Sequence, residues 1–230
     1  MKMTTGIWTV MLVLCLCGAA WADAITIQNA SFESSQASTQ KVYSWTQYEL
    51  GGVTQGGSDG TLWGVQAAKL NTTQLTPGPK DGNMVLAFWG GDGTTWNSYQ
   101  ELAAAQVLDA TLQPNTQYTL SAWIIQRADQ SGLAWATGIV QFYAGDTLLD
   151  SETISTSPGT SAWQEVVVSV TTGASVTPGQ SLKVLLGRNG YHTQAQVVFD
   201  NVTLDATAVP EPATLSLIGL GGLALLRRRK

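Results

Sequence analysis

Cysteine is almost missing from these 230 residues. There are two, Cys15 and Cys17, and both fall in the first seventeen positions. His192 is the single histidine. Without a second His, or a Cys further along, a zinc site of the usual nitrogen–sulfur kind has no ligands, and a thiol nucleophile has no residue. Charge is scarce as well, at 12% of the chain. Between residue 22 and Val209 only six cations remain, Lys41, Lys69, Lys80, Arg127, Lys183 and Arg188. Fifteen acids oppose them, which leaves the segment near −9. Six scattered cations cannot track a phosphate backbone, so no nucleic-acid partner is expected. No phosphate-cradling Gly loop follows a strand-like run. An acid pair for glycoside hydrolysis stays open among fifteen carboxylates, but no stretch gathers them at a recognisable spacing.

What is present divides into three parts. The chain opens "MKMTTGIWTVMLVLCLCGAAWADA". Lys2 is a minimal positive start, Ile7 to Cys17 an apolar run, and Ala20-Trp21-Ala22 a small-x-small cleavage pattern. This reads as a secretory signal peptide cut after Ala22, with signal peptidase as a partner. A retained membrane anchor is the alternative. Once cut, the chain has no cysteine, so packing or a metal must do what disulfides do in many exported domains.

The chain closes "VPEPATLSLIGLGGLALLRRRK". Ala213 to Leu226 carries no charge, yet at fourteen residues it falls short of the ~20 a helix needs to cross hydrocarbon. Arg227, Arg228, Arg229 and Lys230 follow, and their long stems can snorkel to the far interface. Two prolines just before the run stop any helix and hold the segment extended. The order Val209-Pro210-Glu211-Pro212, apolar run, basic end closely resembles the PEP-CTERM sorting signal of Gram-negative bacteria. The resemblance implies an exosortase that recognises Pro210-Glu211-Pro212 and cuts near it. It also implies an inner-membrane intermediate, then the cell surface or the extracellular matrix.

From Ile25 to Leu204 short β-branched or aromatic runs alternate with turn signals such as Asp81-Gly82, Pro114-Asn115 and Pro178-Gly179. In "QYTLSAWIIQ", Tyr118, Leu120, Ala122 and Ile124 fall on one face of a period-two strand. "ELAAAQVL" (101–108) reads as the one place for a turn or two of helix. The expected fold is all-β, a two-sheet antiparallel jelly-roll sandwich, with an N-terminal signal helix and a short C-terminal transmembrane helix. The expected parts are 1–22, signal peptide; 23–206, sandwich; and 207–230, sorting signal. "LDATAVPEP" reads as a short linker between the last two.

"IQNASFE", "PNTQYTLSAWI", "WQEVVVSVTT" and "VVFDNVTL" come in an order that resembles jelly-roll modules of the galactose-binding-like superfamily, carbohydrate-binding modules among them. That resemblance implies a structural Ca²⁺ held by Glu33 and Asp200; the Asp81-Gly82 turn is a weaker third candidate, through a backbone oxygen as readily as the Asp81 carboxylate. The other reading of these acids is that they cap turns. Sugar rings stack on exposed aromatic planes beside amides. Trp89, Trp96 and Tyr99 lie in or beside a Gly-rich stretch, Trp135 follows Gln126 and Gln130, and Tyr191 sits beside Asn189. These five are the candidate ligand-binding residues, whereas Trp45 and Trp163 look like core. The expectation is an exported, non-catalytic module that binds polysaccharide or exopolymer. A structural matrix protein and a glycan-cleaving enzyme are the rivals.

Overall fold

The computed structural model describes residues 22–34, 42–49, 65–88, 99–191 and 194–210. Residues 1–21 of the signal segment, the apolar tail with Glu211, Pro212, Arg227, Arg228 and Arg229, and the two tryptophans Trp89 and Trp96 lie outside them; Ala22, the last residue assigned to the signal peptide, lies in the first strand. Eleven strands are described: β1 (Ala22–Ile25), β2 (Thr46–Glu49), β3 (Val65–Ala68), β4 (Val85–Phe88), β5 (Tyr99–Thr111), β6 (Thr116–Gln126), β7 (Thr137–Ala144), β8 (Thr147–Ile154), β9 (Gln164–Thr171), β10 (Ser181–Tyr191) and β11 (Val197–Ala208). One turn of 3-10 helix spans Ala128–Gln130. No helix among the described residues is long and apolar enough to cross a membrane.

The strands form two antiparallel sheets. One runs β3-β4-β11-β6-β9, with β1 also on β11; the other runs β2-β5-β10-β7-β8. The two-sheet antiparallel sandwich expected from the sequence is therefore present. Alternation explains how the sheets meet. Tyr118, Leu120, Ala122 and Ile124 of β6 face Leu182, Val184 and Leu186 of β10 across one core, joined by Phe88, Phe142 and Phe199. Trp45 is fully buried in it, tilted against Phe32 at 5.5 Å, while Trp163 is half-buried outside.

Two expectations are corrected. "ELAAAQVL" is no helix; it lies within β5, paired with β2 on one side and β10 on the other. Its alanines alternate across the sheet, Ala103 and Ala105 in an outer cluster and Ala104 in the core, and two flanking strands saturate backbone groups that an isolated segment would spend on a helix. "LDATAVPEP" is no free linker either. Leu204 to Ala208 continue β11 along β6 up to the Ala208–Thr116 pair, and β1 covers Leu204 to Thr207 from the other side. Asp205 and the small polar residues there are paired on both sides instead of forming a coil.

The sandwich has two distinct ends. At one, the β5–β6 turn bonds to the segments before β10 and after β9, with Leu112 N–H donating to Gln180 and Asn115 N–H to Gly173. Val209 N–H donates to Asn115. At the other end lie Gln126, Trp135, Tyr191 and the partners Val197 and Phe88.

Candidate functional site

The first constellation surrounds the turn at residues 80–84. Asp200 lies at a bulge in β11, where the register with β6 shifts and Asn201 adopts a left-handed φ of 48°. Its side chain is fully buried. Oδ2 accepts N–H groups from Lys80 (2.7 Å) and Asp81 (2.9 Å), and Oδ1 accepts that of Asn201 (2.7 Å). Burial pushes the Asp200 carboxyl up to about 7, against the pull of those three N–H donors. Glu33, more than 160 residues earlier, reaches the same turn; its Oε1 accepts from Asn83 (2.7 Å) and Met84 (2.6 Å). Ser31 Oγ donates to Asp81 Oδ2 at 2.7 Å. Lys80 Nζ stands 3.5 Å above the Trp123 ring, which ties the turn down from the other side.

The structure thus brings Glu33, Asp81 and Asp200 to one turn. Their named oxygens accept hydrogen bonds there. Among the described residues no three His, Cys, Asp or Glu side chains gather closely enough to hold a metal by themselves, so backbone oxygens would have to complete any shell. The donor set still fits a hard cation in kind. It is all oxygen, and among the described residues the buried Asp200 carboxylate has no cationic partner.

The second constellation is the outer face of the five-stranded sheet, at the end away from residue 209. Tyr191 closes β10 and is 52% exposed. Its register partner on β5 is Tyr99. One step along the same face, Asn189 Nδ2 donates to Glu101 Oε1 at 2.7 Å. Thr137 of β7 is paired with Asn189 on the other side. The middle of this face is closed by a small buried cluster, Ala103, Ala105, Ile139 and Leu185. Gln194 then links the parts of the site: its Oε1 accepts from Tyr191 N–H (2.7 Å) and its Nε2 donates to the Trp135 carbonyl (3.0 Å). The Trp135 indole is half-buried and donates to the Ile154 carbonyl at 2.9 Å.

Beneath Tyr191 sits Arg188, fully buried on the core side of β10. It donates to the carbonyls of Gly190 (3.3 Å) and Tyr191, and its Nε has no acceptor. Burial lowers its guanidinium to about 10.

Tyr99, Trp135 and Tyr191 therefore share one end of the sandwich, whereas Trp89 and Trp96 fall outside the described residues. Glu101 and Gln194 were not among the sequence candidates. Reading residues 99–108 as a strand would have found Glu101, because period two puts it on the Tyr99 face. Val209 and Pro210 are exposed immediately after β11.

Residues 23–205 match the HpiC1-like family, described as HpiC1 cyclase, and residues 208–230 match the PEP-CTERM protein-sorting motif. A cyclase from Fischerella sp. TAU is similar at 24% identity and a TM-score of 0.63, covering 83% of this chain and 100% of that one. The Stig cyclase Fisc from Fischerella sp. TAU, in complex with (3Z)-3-(1-methyl-2-pyrrolidinylidene)-3H-indole, is similar at 22% identity, with the same TM-score of 0.63 and the same coverage. TmCBM61, in complex with beta-1,4-galactotriose, is similar at 14% identity and a TM-score of 0.50, covering 79% of this chain and 98% of that one. At these identities the likeness is one of fold. No curated protein matches the chain.

Proposed function

The chain belongs to the HpiC1-like family over residues 23–205 and ends in a PEP-CTERM sorting motif, and from that premise we propose a surface-sorted protein whose jelly roll binds polysaccharide through the Tyr191 end of its five-stranded sheet. Export and sorting to the surface of a Gram-negative cell follow from the motif; the ligand is the proposal. One observation carries it. A half-exposed tyrosine stands in register with a second, one step from a hydrogen-bonded acid–amide pair. An aromatic plane can stack on the C–H face of a sugar, while Glu101 and Asn189 offer an acceptor and a donor for hydroxyls. That a jelly roll of this general shape holds beta-1,4-galactotriose in TmCBM61 supports the reading by analogy.

The test is Tyr191→Ala. Stacking on an aromatic contributes roughly 1–3 kcal/mol, by analogy with nucleobases. Retention on the bound polysaccharide should weaken about tenfold or more, since ~1.4 kcal/mol is a factor of ten. The melting temperature should barely move, because the ring is half in water. Unchanged retention, or a large fall in stability, would remove Tyr191 from the site.

The family match favours a second reading, a cyclase-like enzyme in which Glu101, oriented by Asn189, transfers a proton. Glu101→Gln separates the two. It keeps the shape and the hydrogen bond, so binding of polysaccharide should survive, whereas turnover of an indole-bearing small molecule would be lost.

The reading includes a structural Ca²⁺ at the 80–84 turn, held by Glu33 and Asp200, with Asp81 or its backbone oxygen beside them. A bound cation would offset the buried Asp200 charge. The convergence of these acids from residues 33, 81 and 200 on one turn supports it.

A further inference from the structure

Both chain ends that the sequence assigns to the membrane leave the sandwich at one place. Ala22, the first residue of β1, is paired with Thr207 of β11; antiparallel partners lie about 5 Å apart. Only Val209 to Pro212 separate β11 from the apolar run that starts at Ala213. Four residues span at most about 14 Å when fully extended. The polar layer on one side of a bilayer is itself about 5–8 Å thick. Gly18 to Trp21 make an equally short tether on the N-terminal side before the signal peptide is removed. After the signal peptide is removed, the four-residue tail tether alone keeps this edge within about 14 Å of the apolar run.

We infer that the uncleaved protein stands on the inner membrane with the end built from residues 112–115 and 172–180 against the lipid headgroups, and with Tyr191 directed away from them. The inference rests on the reading that the apolar tail enters the bilayer. The surface at that end agrees with it. Leu112 to Asn115 and Thr171 to Gln180 contain no charged residue, although the domain as a whole is near −9. Gln113, Pro114, Gly173, Ala174, Ser175, Thr177, Pro178 and Gly179 are all exposed. The acids near this end are Asp146, on the β7–β8 turn 3.6 Å from Lys183, and Asp23, Asp109 and Asp205 on strands β1, β5 and β11. An anionic leaflet repels carboxylates, so it is the charge-free loops 112–115 and 171–180 that can approach it. The far end is set by strand length. The eleven residues of β6 rise roughly 33 Å at about 3.3 Å each, which lifts Tyr191 well clear of the headgroups.

The test uses the full chain in a Gram-negative host without an exosortase, so that the tail stays attached. With Cys15 and Cys17 changed to alanine, a single cysteine is introduced by Ser175→Cys at the near end or Ser131→Cys at the far end. Both serines are exposed. A bulky maleimide-polyethylene glycol should label the Ser175→Cys protein at least tenfold more slowly than the Ser131→Cys protein in spheroplasts. A flexible Gly/Ser insert of twelve residues after Ala208, spanning about 20 Å, should bring the two rates within twofold. The slow labelling should persist with purified precursor in vesicles of phosphatidylethanolamine and phosphatidylglycerol. Equal rates without the insert would overturn the orientation, and loss of protection in vesicles would assign the surface to a protein instead. A precursor that washes off the membrane in alkaline carbonate would overturn the tail reading itself.

Discussion

The Asp200 carboxyl is fully buried, and burial raises it to about 7. The folded state therefore keeps a proton that the unfolded chain releases near pH 4. The sign follows directly: this stabilisation is full below about pH 4 and is lost as pH rises through about 7. The metal-free domain should melt higher at pH 5 than at pH 7.5, and Asp200→Asn should flatten that slope while still accepting from Lys80 and Asp81. Millimolar calcium should flatten it as well, because the bound cation favours the ionised form. Thermal melts in chelator and in calcium at both pH values check this; wild-type and Asp200→Asn curves with the same slope would refute it. Asp129 does not confuse the comparison. Its hydrogen bond to Arg127 holds it below the usual carboxylate range, so its contribution is lost only on further acidification.

At the scale of the element, the 80–84 turn shows why glycine stands at position 82. Gly82 has a φ of +63°, and a Cβ there would run into the Glu33 carboxyl. Gly78, four residues earlier, has a φ of +73° but nothing within 4 Å of a built Cβ. The two glycines share the backbone penalty and differ in the collision. Gly78→Ala should cost about 1 kcal/mol of stability from the left-handed conformation alone. Gly82→Ala should cost roughly 2–3 kcal/mol, as the side chain also displaces Glu33. Urea unfolding of both variants measures the difference, and equal midpoints would mean Glu33 moves aside freely. β5 belongs at this scale too. Its alanines alternate between an outer cluster and the core, and the same run carries Glu101 to the candidate site.

The whole molecule is a sandwich with a sorting end and a candidate ligand end. The PEP-CTERM motif begins at residue 208, the last of β11, so the residues that sorting reads follow directly on the sheet. Replacing Pro210, Glu211 and Pro212 with alanine should leave export intact and trap the protein at the inner membrane with its tail attached. Pro210 is exposed beyond the end of β11, so the domain itself should melt as before. Fractionation and the mass of the protein check this in the native organism. A variant processed and localised like the wild type would show that sorting does not read the motif.

Export, the sorting tail and an all-β sandwich were legible in the linear chain, because each is written in local chemistry. A tripartite tail is a run of apolar and basic residues, and a strand face such as Tyr118, Leu120, Ala122 and Ile124 is a period of two. The Tyr191 candidate was legible as an aromatic beside amides. What it stands next to was not. Tyr99 lies 92 positions earlier and Glu101 lies 88 positions before Asn189, and only the β5–β10 register pairs them. The turn or two of helix that residues 101–108 could have formed is absent for the same reason, since alanines favour a helix only while no neighbouring strand competes for their backbone. The separation of Glu33 from Asp200, their meeting at one turn, and the common exit of both chain ends were likewise decided by tertiary pairing. Hydrogen bonds between strands remote in sequence bring such groups together, and no local pattern records which strand will lie beside which.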